Sequence, residues 1–108
     1  MSQIVDQLSE GVHPVSVSLR PEKTVDAFKR AIDDGYVHVK FTDTQGGTEL
    51  GLRLDRDASD FKAARFSGQS GHVRLVGALT LDYVNVLCVA DINLPSLEGT
   101  GHLEVVSS

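Results

Sequence analysis

The most apolar part of the chain runs from His72 to Leu94, and its residue parity inverts halfway. Before the inversion Val73, Leu75, Leu79, Leu81 and Tyr83 hold odd positions, while His72, Arg74, Thr80 and Asp82 hold even ones. After it Val84, Val86, Cys88, Ala90 and Ile92 are even, and Asn85, Asp91 and Asn93 are odd. Strand side chains alternate strictly between faces, so one flat strand cannot bury both sets. Two strands are therefore predicted, joined by a turn or bulge between about Asp82 and Asn85. The same stretch is no membrane span. A spanning helix needs roughly 20 predominantly apolar residues, and here Arg74, Asp82, Asn85, Asp91 and Asn93 interrupt the run.

The remaining elements follow from shorter patterns. Ser2 to Gly11 reads as a short helix with Ile4, Val5 and Leu8 on one face, Ser2 as N-cap and Gly11 as stop. Val15 to Leu19 alternates as a half-buried strand, ended by Arg20-Pro21. Glu22 to Asp34 is the main helix, with Val25, Phe28 and Ile32 on one stripe, Pro21 at its start and Gly35 at its end. Asp33 and Asp34 sit where the helix dipole disfavours acids, a local conflict. Tyr36–Thr42 and Glu49–Asp55 form a hairpin whose Val37, Val39, Phe41, Leu50, Leu52 and Leu54 share a face, with Gly46 and Gly47 in the connection. From Arg56 to Gly71 no period holds: Asp57 to Asp60 suits the cap of a short turn carrying Phe61, and Phe66 an anchor for the loop. Leu94 to Gly101 reads as a loop and His102 to Val106 as a closing strand. The expected architecture is α+β, a small mostly antiparallel sheet or partly closed barrel of about six strands, with one main helix and a short N-terminal one.

Length and charge bound the function. With 108 residues the chain is expected to form a single domain, residues 1–108, able to bury one core. A net charge of −5 and ten scattered basic residues argue against binding a phosphate backbone, and six aromatics without tryptophan make a poor base-stacking platform. The first ten residues lack the basic segment and apolar core of a secretory signal, and neither end carries a lipidation signal. A single cysteine fits a reducing compartment. The expected location is the cytoplasm.

No motif carries a reaction. His13, His38, His72 and His102 include no His-x-His, His-x-x-x-His or His-Glu-x-x-His spacing, so no metal is expected. Cys88 lies among Val86, Leu87, Val89 and Ala90, surroundings that suit a buried hydrophobe better than a nucleophile. The acid groups Asp33/Asp34, Asp55/Asp57/Asp60 and Asp82/Asp91 read as solvated loop acids; Asp55 to Asp60 lacks the central glycine and terminal glutamate of a calcium loop. Gln45-Gly-Gly47, Gly68 to Gly71 and Gly99-Thr-Gly101 do not lie between a strand and a helix, as a phosphate cradle requires. No cofactor is expected.

One positive signal remains. Val76, Ala78, Leu87 and Val89 are apolar on the parity opposite the expected core, and such a patch usually marks an interface. The sequence thus favours a non-enzymatic binding or self-associating module, most simply a homodimer through these four residues, with no nucleic-acid or membrane partner. The alternative is a β-cup or barrel around a small apolar ligand, or a small enzyme of that form with its site near Asp82 and Tyr83.

Overall fold

The computed structural model describes residues 3–19, 23–68 and 70–106. The proposed N-cap Ser2 and the Arg20-Pro21 break lie outside them. In chain order the elements are α1 (Gln3–Ser9), β1 (His13–Ser18), α2 (Val25–Asp34), β2 (Tyr36–Phe41), β3 (Thr48–Leu54), β4 (Ala64–Arg65), β5 (Ser70–Leu81), β6 (Val84–Asn93) and β7 (Glu98–Val105). All strand pairs are antiparallel. The order β3-β2-β1-β7-β6-β5 closes on itself through a β3–β5 pairing, and β4 adds to β5 as an extra strand. The fold is a six-stranded up-and-down barrel with two helices, the α+β class that the strand and helix patterns imply.

The parity inversion becomes a two-residue hairpin turn. β5 and β6 pair continuously from Leu81 opposite Val84 to His72 opposite Asn93. Asp82 and Tyr83 between them have φ of 51° and 66°, positive at both central positions as a type I′ turn requires. Tyrosine has no steric reason to prefer that region, and its side chain is fully exposed and packs on nothing. Tyr83→Gly should therefore stabilise the protein by about 1 kcal/mol, seen as a higher urea midpoint at unchanged slope. An unchanged or lowered midpoint would show that the turn holds no strain.

Inside the barrel, Val15 and Val17 meet Val37, Val39, Phe41, Leu50 and Leu52 from one side and Val73, Leu75, Val86, Cys88, Ala90, Ile92 and Leu103 from the other. Among the described residues no polar or charged residue is buried. Six strands enclose less space than the eight whose interior side chains just fill, so this interior holds side chains only. Cys88 is fully buried there, and desolvation pushes its thiol up to about 12, which keeps it protonated and inert.

The helices cover opposite ends. α2 connects β1 to β2 and buries Val25, Phe28 and Ile32; Phe28 meets Phe66 with ring centroids 6.5 Å apart. It begins three residues later than the sequence implied, because the Thr24 hydroxyl accepts from the Ala27 amide at 3.1 Å and caps the first turn. Its acidic C-terminus is compensated by a residue far along the chain. The Arg56 guanidinium donates to the carbonyls of Ile32, at 2.9 Å, and Asp33, supplying the positive charge that the last turn lacks. Leu94 and Leu97 are buried in the β6–β7 connection, and the Leu97 carbonyl accepts from the Val17 amide at 2.9 Å. At the other end α1 buries Val5 and Leu8 and packs mainly against β7.

The start of the last strand differs from expectation. β7 starts at Glu98, so Glu98 to Gly101 is strand, paired to both β1 and β6. Its glycines are there for close approach: a Cβ on Gly99 would lie 1.8 Å from the Asp91 carbonyl oxygen. In the irregular region Asp60 accepts from the Lys62 amide at 2.9 Å and caps the short turn carrying Phe61, as the sequence implied. Asp55 caps the turn before it, accepting from the amides of Asp57 at 3.1 Å and Ala58 at 3.2 Å.

Candidate functional site

The β5–β6 register sets Val76 directly opposite Val89 and Ala78 opposite Leu87. The four residues singled out by parity therefore form two adjacent cross-strand pairs on the outer wall of the barrel. β7 extends the wall, with His102 beside Val89 and Glu104 beside Leu87. Polar rows frame the apolar one. On one side the Arg74 guanidinium donates to both carboxylate oxygens of Asp91, at 2.9 and 3.2 Å. That pairing and the nearby Asp91 charge hold the Arg74 pKa above its ordinary value. On the other side the Thr80 hydroxyl donates to the Asn85 side-chain oxygen at 2.9 Å, and on β7 His102 and Glu104 meet at 2.9 Å.

Access to the four is unequal. Val76 is only 8% exposed, because the chain's own 55–60 segment lies over it. The Ser59 hydroxyl oxygen accepts from the Val76 amide at 2.9 Å, and the Asp55 amide donates to the Val76 carbonyl at 2.8 Å. Ala78, Leu87 and Val89 are half-buried. Two residues beyond the four singled out enlarge the patch: Val12, 66% exposed in the α1–β1 connection, and Val106, 40% exposed just past β7, its amide donating to the Asn85 carbonyl. A cavity of about 430 Å³ lies on this wall, lined among others by Val12, Ala58, Val76, Leu87, Val89 and His102. Val12 belongs to no periodic segment, and Val106 stands at the last position of the expected closing strand, so the parity of β5 and β6 reveals neither. The Arg74–Asp91 pair, by contrast, follows from counting outward from the turn.

The other candidate groups are dispersed. Asp82 and Tyr83 form the hairpin tip and line none of the three cavities described. His38 lies on β2 and His72 on β5, strands that are not neighbours, and His102 lies on β7. Among the described residues no group of three or more His, Cys, Asp and Glu side chains is arranged to hold a metal. The largest of the three cavities, about 620 Å³, lies between α2 and the outer side of β1 and β2; Ser18, Arg30, Asp34, Tyr36, His38 and Glu49 help to line it. A third, about 440 Å³, follows the short β3–β5 seam. Among the described residues no helix is long and apolar enough to cross a membrane.

These features define a closed antiparallel barrel with a filled interior and an apolar strip on its outer wall. No protein-family model matches the chain, and no curated protein matches it significantly.

Proposed function

We propose that this chain is a binding module that self-associates through the outer wall of β5, β6 and β7, most simply as a homodimer. One observation carries the reading: Leu87 and Val89 stand on the outside of a barrel whose interior is already full, so the core has no use for them. An apolar centre with polar pairs around it matches the anatomy of protein interfaces. A stable contact buries about 800 Å² per partner, more than four aliphatic side chains supply, so Val12, Val106 and the polar rows belong to it. Closed twofold symmetry is the commonest solution for such a face.

The test is the mass in solution. Sedimentation at high protein concentration should give twice the chain mass. Leu87→Lys should return the single-chain mass with the fold intact by circular dichroism, since a lysine there lies across from Glu104. A wild-type protein that stays monomeric, or a Leu87→Lys variant that remains dimeric, overturns the reading.

A small apolar ligand inside the barrel has less support, because side chains occupy the space such a ligand would need. A catalytic role for Asp82 and Tyr83 has less support still, since both lie at the exposed turn.

A further inference from the structure

His13, the first residue of β1, stands where α1, β1 and the β2–β3 turn meet. Its Nδ1 lies 2.7 Å from the Asp43 carboxylate and its Nε2 lies 2.7 Å from the Glu10 carbonyl oxygen. Both partners are acceptors, so the two contacts are hydrogen bonds together only when both ring nitrogens carry protons. A neutral imidazole has one N–H. It keeps one bond and turns a lone pair toward the other acceptor. The ring is 13% exposed and packs edge-on against Phe41, with centroids 6.3 Å apart.

We propose that His13 is a proton-operated latch that holds α1 over its end of the barrel. The imidazolium ties the chain just after α1, through Glu10, to the β2–β3 turn, through Asp43. α1 needs such a tie. At seven residues it is too short to be stable alone. It also carries a defect where it is sealed, because the Ser9 hydroxyl is buried without a hydrogen-bond partner. When α1 lifts, Val5 and Leu8 leave the core and the Phe41 end of the barrel opens.

The surroundings of the ring favour the charged form. α1 offers the Gln7 backbone, the connection offers the Glu10 carbonyl, and β2 offers the Phe41 ring. β7 presents Gly101 opposite His13, and the turn brings Asp43, the one charged side chain among the described residues that acts on the imidazole. The Asp43 hydrogen bond, opposed by partial burial and helped by the backbone contacts, raises the His13 pKa above its ordinary 6.5. With the folded value raised, the latch is fully engaged below 6.5 and is lost as pH rises through that higher value.

Amide hydrogen exchange of residues 4–9, followed against pH beside an NMR titration of the His13 ring, tests the latch in the intact chain. After correction for intrinsic base catalysis, α1 protection should fall about tenfold as the imidazole titrates, the loss of one charge-assisted bond. β6 should stay unchanged. Asp43→Asn should move the ring titration and the opening of α1 to lower pH together. His13→Gln should leave α1 weakly protected at every pH. The proposal is overturned if α1 protection ignores the ring's titration, or if Asp43→Asn shifts the titration and not the opening.

Discussion

Gly99→Ala is expected to cost about 3 kcal/mol or more, the upper end of what overpacking a well-packed site costs. Domains of this kind are stable by about 5–15 kcal/mol, so the loss takes a large share of the total. The new Cβ would lie 1.8 Å from the Asp91 carbonyl oxygen and 2.9 Å from its carbon. Both are backbone atoms, and no rotamer change relieves the contact. β7 cannot retreat, because Gly99 pairs with Ile92 on one side and Val15 on the other. Urea denaturation reads the effect, with Thr100→Ala, an exposed neighbour on the same strand, as a control expected within about 0.5 kcal/mol of wild type. A Gly99→Ala midpoint equal to wild type would mean that β7 runs farther from β6 than described.

That glycine also marks the limit of what the sequence makes legible. Leu94-Pro-Ser-Leu-Glu-Gly-Thr-Gly101 has the composition of a loop, and the reason for Gly99 is a backbone wall contributed by Asp91 after folding. No local pattern encodes it. The β5–β6 hairpin, by contrast, is written in the parity of its residues, and its register follows once Asp82 and Tyr83 are the turn. The C-terminal end of α2 falls between these cases. Gly35 takes the expected left-handed cap, whereas the acids at positions 33 and 34 are reconciled by Arg56, which no helix pattern points to. The barrel's closure leaves the faintest trace in the sequence, since β3 and β5 pair at only Arg53–Ala78 and Leu54–Gly77. For the outer wall, parity identifies Val76, Ala78, Leu87 and Val89 but not the cover over Val76. That cover comes from residues 55–60, a stretch without periodicity.

Phe28→Ala carries the second large effect, an expected loss of about 3–5 kcal/mol. Phe28 is fully buried and is the one aromatic residue of α2. Beneath the helix it faces Phe66, the anchor of an otherwise irregular loop, so truncation opens a cavity between α2 and that loop. Ile32→Val, one methylene smaller on the same stripe, should cost about 0.5–1.5 kcal/mol. Thermal melts of both variants check the pair. If Phe28→Ala costs no more than Ile32→Val, the end of the barrel under α2 collapses freely, and the helix rests on Val25 and Ile32 alone.

The up-and-down strand order has a consequence for how the chain becomes a barrel. With β4 set aside, every strand pairs with its successor in the chain except at one place, where residues 13–16 meet residues 98–101. Hairpins of neighbouring strands close short loops and form readily, whereas that last pairing must bring the two ends of the chain together. Until it does, β1 and β7 each present a row of unused backbone donors and acceptors, a template for another molecule's strand. The pairing that completes the barrel is therefore also the chain's protection against aggregation.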